Sequence, residues 1–280
     1  MTNDAVDAQR LEDEVGHPGQ RWDDLLSRVR GDATLQTFGT IADEWLGLMW
    51  CLDRYRSAEV APLGMGNPDA SAANRLSGIY RYKGNWFATI LAELLKNATG
   101  QEIRPRQEVQ GFSQTHQIDI AWPAREDDPL VCAEAKVTGG PAYGATRARG
   151  AMSDWSNRRK ELKFAATDLK LGRRKHNTQI DSWGFWRRSA PPATYILWGA
   201  RLRPDDRIER VTRQVERVVG TYLDGGGIFA WRTSSDGAGY DAVSLPADAQ
   251  SLSLDEALRE IKTRINRQAA PGQPPPPPQA

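Results

Sequence analysis

Two stretches decide how this chain reads: His116-Gln117-Ile118-Asp119-Ile120-Ala121-Trp122 and Leu130-Val131-Cys132-Ala133-Glu134-Ala135-Lys136-Val137. Both alternate with period two, the pattern of half-buried strands. In the first, Ile118, Ile120 and Trp122 share one face and Asp119 takes the other. In the second, Glu134 and Lys136 project together. The polar connection Pro123–Pro129 is bounded by prolines and reads as a hairpin loop. Antiparallel folding about Glu126 then sets Asp119 opposite Ala133 or Glu134. Two carboxylates and an ammonium converge on one patch, a set suited to a hard divalent cation held by oxygen ligands.

An acidic-x-Lys triplet alone is cheap, and this chain has four, beginning at Glu134, Glu161, Asp168 and Glu260. Only Glu134-Ala135-Lys136 falls in a β-type run behind a strand with an isolated Asp. The other three fall in helical segments, where residues two apart diverge. Lysine is also scarce, at eight residues against 29 arginines, which sets Lys136 apart. An ion pair at a strand end is the other reading of the same residues.

The flanking segments give these strands a context. Residues 1–20 are polar and expected to fray. From Leu35 to Tyr55, apolar residues recur at helical spacing, Trp45 among them. Residues 62–78, rich in Pro, Gly, Asn and Ser, read as a loop and a subdomain boundary. The next helix is predicted over about Trp86–Ala98, with Asn85 as N-cap and Gly100 beyond its end. A strand near 107–112 precedes the quoted pair. After the Gly/Pro segment 138–144, a long basic helix is predicted from about Arg147 to Leu171. The last third reads as a buried strand (Tyr195–Ala200), a helix (Asp205–Tyr222), two strands (Ile228–Arg232 and Tyr240–Leu245) and a final helix (Leu254–Ile265). Trp45, Trp86, Trp198 and Trp231 fall on apolar periodic positions and are expected in the core. The fold class is mixed α/β (α+β): a mixed sheet flanked by helices, with an N-terminal helical extension. Residues 1–78 form the acidic helical region, 79–267 the main domain, and 268–280 a proline-rich, disordered tail.

Composition narrows the function classes. At 39% apolar and 26% charged, the 280 residues are those of a globular chain with a real core. No run of 18 apolar residues exists, so a membrane-spanning helix is excluded, and the acidic first 30 residues do not read as a secretory signal. Cys51 and Cys132 are too few for a disulfide scaffold or a zinc site, and the expected compartment is the cytoplasm. His17, His116 and His176 lie too far apart to form a metal pair. No phosphate-binding Gly-Lys loop and no nucleophile elbow occurs.

A net charge of +1 conceals an uneven distribution. Residues 1–34 set eight acidic side chains against four arginines. Residues 147–175 set ten basic side chains against three acidic ones. Such a block is the electrostatic footprint of a nucleic-acid binder, although a solvated helix face reads the same way.

The quoted segments resemble the PD-(D/E)XK nuclease superfamily, which includes most restriction endonucleases. Ile118-Asp119 is followed, after 14 residues between Asp119 and Glu134, by Glu134-Ala135-Lys136. The helix after Lys83-Gly84-Asn85-Trp86-Phe87 and the later basic helix stand in the order that the family's α-β-β-β-α-β core requires. The likeness spans roughly residues 80–200, and Ile118 stands where the family often has proline. It implies a restriction-endonuclease-like core and an Mg²⁺-dependent cleavage of double-stranded DNA, with Mn²⁺ able to substitute. A type II restriction endonuclease is the first expectation. A structure-specific or non-specific nuclease of repair or mobile elements is the alternative, and a catalytically inactive DNA-binding module is the rival from another class.

By the same resemblance, Asp119, Glu134 and the Ala135 carbonyl hold the metal and Lys136 assists the chemical step. Glu93 is the candidate for the helix glutamate that often joins such a site, though it sits at the edge of the apolar face. Arg147, Arg149, Arg158, Arg159, Lys163, Lys170, Arg173 and Arg174 are the expected phosphate contacts. Gly139–Arg149 and His176–Arg188 are the candidate base-reading loops, and Trp183 and Trp186 are either stacking or packing residues. A homodimer is expected, with no organic cofactor and no membrane partner.

Overall fold

The computed structural model describes residues 3–123, 129–176 and 191–269, with side chains over 6–123, 129–171 and 191–269. Five helices come first: α1 (Asn3–Val15), α2 (Pro18–Gly31), α3 (Ala42–Ser57), α4 (Ala72–Tyr80) and α5 (Tyr82–Thr99). Strands β1 (Arg104–Gln110), β2 (Thr115–Trp122) and β3 (Val131–Thr138) follow, then α6 (Trp155–His176) and β4 (Ala193–Arg201). The chain continues through α7 (Ile208–Glu216), β5 (Gly225–Thr233), β6 (Tyr240–Val243) and α8 (Leu254–Ala269). The six strands form one mixed sheet in chain order. β1, β2 and β3 run antiparallel, β3, β4 and β5 run parallel, and β6 returns antiparallel.

Helices cover both faces, which is why β4 is buried at all nine positions and reads as a continuous apolar run. On one face, Phe87, Leu91 and Leu94 of α5 share a core with Ile120, Ala133, Leu197 and Ile261. Trp45 and Leu48 of α3 and Leu25 of α2 belong to that same core. The N-terminal helices therefore pack on the sheet itself, and the compositional boundary near residue 78 marks no break in packing. On the opposite face, Leu162 and Ala166 of α6 and Val211 and Val215 of α7 meet Ile196, Trp198 and Ile228. Trp155 stacks on Trp198 with ring centroids 4.4 Å apart. Trp45, Trp86, Trp198 and Trp231 are all buried.

Several boundaries differ from the sequence reading, each for a local reason. Residues 1–20 do not fray throughout, because Leu11 and Val15 bury against Cys51 and Tyr55. Helix α4 starts within the expected loop, with the Ser71 hydroxyl accepting from the amide of Asn74. Helix α5 begins at Tyr82, so Asn85 lies inside it and is not its cap; Gly100 does end it, with φ of +65°. The helix expected from Arg147 begins at Trp155, because residues 140–149 close a small hairpin through the bridges Gly140↔Arg149 and Tyr143↔Thr146. Helix α7 stops at Glu216, short of Tyr222. Of the expected tail, Gln268 and Ala269 close α8, and residues 270–280 lie outside the described residues.

One buried pair fastens the β1–β2 hairpin to α6. Asp168 accepts from the amide and hydroxyl of Ser113 at 2.8 and 2.7 Å, and bonds His116 Nε2 at 2.8 Å. Burial works to raise the Asp168 pKa, but the bonds from Ser113 and His116 prevail and hold it below the usual carboxylate range. The stabilisation is therefore complete above the ordinary carboxylate pKa of about 4 and is lost as pH falls through the lowered folded value. Asp168→Ala should cost about 3 kcal/mol at neutral pH, because several donors lose a charged acceptor at once. Urea denaturation of both chains checks this, and the gap should narrow in acid.

Candidate active site

The ladder between β2 and β3 runs Trp122↔Val131, Ala121↔Cys132 and Ile120↔Ala133, and stops there. Beyond that last pair the Asp119 carboxylate does the work of the ladder, accepting from the Ala135 amide at 2.9 Å. On the other side of β2, the β1 ladder skips from Pro105↔Ile120 to Gln107↔Ile118. Arg106, opposite Asp119, has φ of +60°, a left-handed conformation that non-glycine residues rarely take. The strand changes face here. Ile120 and Trp122 enter the core beneath α5, whereas Ile118 packs with Val109, Cys132 and Leu169. The expectation that Ile118, Ile120 and Trp122 share one face is thus corrected. The irregularity falls at the residue that carries the candidate chemistry.

Asp119, Glu134 and Lys136 meet as the strand register requires. Lys136 Nζ lies 3.0 Å from Asp119 Oδ2 and 2.6 Å from Glu134 Oε2. Burial pushes the Glu134 carboxyl above the usual carboxylate range; Lys136 opposes this and Asp119 adds to it. Burial also works against the Lys136 ammonium, yet Glu134 and Asp119 outweigh it and hold the Lys136 pKa above its ordinary value. Lys136 is therefore charged at neutral pH.

Asp119, Ala135 and Lys136 line a cleft of about 450 Å³, whereas Glu134 borders the packing of Leu162, Ala165 and Leu169 behind it. Lys136 engages Oδ2 of Asp119 and Oε2 of Glu134, and the same Asp119 oxygen takes the Ala135 amide. Among the described residues no cluster of three or more His, Cys, Asp and Glu side chains forms. A cation here would take Asp119 and Glu134, the Ala135 carbonyl, water and a substrate oxygen. Two carboxylates with the remainder from water and phosphate is the donor set that suits Mg²⁺.

The walls of the cleft are cationic and aromatic. Arg56 closes α3, Arg81 and Lys83 stand at the start of α5, Arg149 comes from the 140–149 hairpin and Arg158 from α6. The Arg56 guanidinium lies over the Tyr143 ring at 3.7 Å and near Tyr80 at 5.2 Å. A buried polar hub stands behind them. Asp53 accepts from the hydroxyls of Tyr80 and Tyr240, and Arg201 donates to Tyr240 at 2.8 Å and to the Gly140 carbonyl at 3.0 Å. Gly139 has φ of +89°, and a Cβ there would meet the Arg201 carbonyl at 2.6 Å. That position admits only glycine. Tyr143 falls in the expected loop Gly139–Arg149, whereas sequence reading missed Arg56, Tyr80, Arg81 and Lys83; the interleaved Tyr80-Arg81-Tyr82-Lys83 is the one local signal that marks part of the set.

The predicted phosphate contacts divide into groups. Arg149 and Arg158 line the cleft, although Arg158 also pairs with Glu161 at 2.8 Å. Arg147, Arg159 and Lys163 are exposed. Lys170 is corrected: it pairs with Asp224 at 2.7 Å and donates to the Tyr222 carbonyl, which makes it a tie between α6 and the segment before β5. The side chains of Arg173 and Arg174, together with Trp183, Trp186 and most of the loop His176–Arg188, lie outside the described residues. Glu93 is corrected as well. Its carboxylate pairs with Arg30 of α2 at 2.7 Å, and it lies about three helical turns from Lys83 along α5.

Lys136→Met should leave the two carboxylates facing each other without a cation and cost about 2 kcal/mol at neutral pH. The loss should shrink on acidification, as Glu134 takes up its proton, and a second change, Glu134→Gln, should recover part of it. Chemical denaturation at two pH values checks both; an equal loss at both would show that the trio is not held by charge. Comparison of the chain with family models, with curated proteins and with solved structures finds no match for it, so the meaning of this site rests on its own geometry.

Proposed function

We propose that the protein is an Mg²⁺-dependent endonuclease that hydrolyses phosphodiester bonds of double-stranded DNA, of the restriction type. The observation that carries this reading is the bonded trio Asp119, Glu134 and Lys136 at the point where β2 and β3 part, beside a cleft with cationic walls. The succession α5, β1, β2, β3, α6, β4 is the order that the PD-(D/E)XK resemblance implies, and it supports the same reading. All three chemical groups are present, which favours an enzyme over a binding module.

Each residue then has a physical task. Asp119 and Glu134 supply anionic oxygens, and Mg²⁺ bound there would polarise the scissile phosphate and acidify a water. Lys136, kept protonated by its two neighbours, offsets negative charge gathering on the phosphate, a preorganised electrostatic role. Arg81, Arg149 and Arg158 give the nucleic-acid backbone a positive wall without reading sequence. Two copies acting together would suit cleavage of both strands at a palindrome.

A plasmid digest with Mg²⁺ and with EDTA tests the activity. Discrete fragments mean restriction, a smear means a non-specific nuclease, and intact plasmid in Mg²⁺ refutes the enzyme reading. Asp119→Ala and Glu134→Ala should each abolish cleavage while duplex binding survives; a Glu134→Ala chain within about tenfold of the parent, or about 1.4 kcal/mol in barrier, would sink the metal-site assignment. Arg81→Gln with Arg149→Gln should flatten the log–log salt dependence of duplex binding by about 2 units. The same change at Arg159 and Lys163, which do not line the cleft, should flatten it less.

A further inference from the structure

Lys83 stands apart from the other cations of the cleft. It is partly buried at the first turn of α5 and borders the same space as Asp119 and Lys136. Its ammonium donates to the Gly139 carbonyl at 2.7 Å and lies 4.1 Å from the Tyr80 ring. Among the described residues no carboxylate comes within ion-pairing distance of it. Asp53, the carboxylate whose charge acts on it, is already engaged by Tyr80, Tyr240 and Arg201. A partly buried cation without a carboxylate of its own is costly unless something anionic completes it. An ammonium has three N–H donors, and one carbonyl uses only one of them.

Its place relative to the trio follows from the strand. Gly139 lies three residues beyond Lys136, about 10 Å at the usual rise of a strand. Lys83 is therefore anchored past the end of β3, to a carbonyl that the trio does not use. We propose that Lys83 is a phosphate-binding residue of the cleft, which holds a backbone phosphate next to the one undergoing cleavage. This inference rests on the nuclease reading and names a contact of its substrate.

The surroundings give the contact a pH dependence. Facing Lys83 are Asp53 and Arg56 of α3, Tyr80 of α4, Arg149 of the hairpin, Arg201 of β4 and, through the shared hub, Tyr240 of β6. Burial above all, helped by Arg201, Arg149 and Arg56 and opposed by Asp53, lowers the Lys83 pKa to about 8. A bound phosphate favours the charged form and raises that pKa in the complex. Affinity is thus full below about pH 8 and declines as pH rises through it.

The test uses the full chain and a labelled random duplex of about 20 base pairs in Ca²⁺, with affinity followed by anisotropy from about pH 7 to about pH 9.5. The parent should lose affinity across that range. Lys83→Met should bind about tenfold more weakly at neutral pH, show little further loss, and have a salt slope shallower by about 0.9. Lys83→Arg, charged throughout, should keep its affinity as pH rises, which separates the charge from any effect on folding. A parent that binds no duplex overturns the nuclease reading and this inference together. A parent that binds, with Lys83→Met within twofold of it and equal in pH and salt response, overturns the inference alone, as does an Arg variant that titrates like the parent.

Discussion

Arg201 brings a permanent positive charge into the interior, and the rim of the cleft is arranged around satisfying it. A guanidinium cannot shed its proton under ordinary conditions, and taking one out of water costs several kcal/mol unless its donors are met. Here the partners come from separate parts of the chain: Tyr240 of β6, Asp53 of α3 and the Gly140 carbonyl at the base of the hairpin. Each partner is thereby fixed relative to the end of β4. The hairpin that carries Tyr143 and Arg149 owes its place to this one side chain as much as to its own two bridges. Removing the charge would take a partner from three elements at once, which is how a buried ionic hub differs from an ordinary core contact.

The two lysines of the cleft show how the same side chain acquires different properties from its neighbours. Lys136 lies between two carboxylates and is held charged. Lys83 lies among arginines beside a carbonyl and an aromatic ring, and its proton is loosely held. Burial acts on both in the same direction; on Lys136 two bonded carboxylates overcome it, whereas on Lys83 the more distant Asp53 does not.

Much of this arrangement was legible in the chain, and what was not has identifiable causes. The period-two runs around Asp119 and Glu134, joined by a short polar connection, were enough to specify two antiparallel strands and the meeting of their polar residues. The change of face at Asp119 was not legible, because it depends on the left-handed backbone of Arg106, and no glycine or asparagine there announces it. Clustered arginines and lysines suggested one continuous basic helix from Arg147. Charge carries no information on backbone path, and Gly140 and Arg149 pair with each other instead. Glu93 and Lys170 had the right chemistry for their expected roles, but Arg30 and Asp224 reach them from elements distant in sequence. Arg56 entered the cleft in the same unreadable way, through the packing of α3 on the sheet.

The bond between the Tyr240 hydroxyl and Asp53 joins residues 187 positions apart. Contacts of such separation form late, since the intervening chain must first be ordered before they return anything. A chain emerging from synthesis N-terminus first has Asp119, Glu134 and Lys136 in hand long before Tyr240 appears. The trio can pair early, but the hub behind the cleft lacks a member until the sixth strand is laid down. On the proposed nuclease reading, the nascent polypeptide would carry its metal-binding carboxylates without a finished rim to hold a ligand against them, and competence would arrive only with the last strand of the sheet.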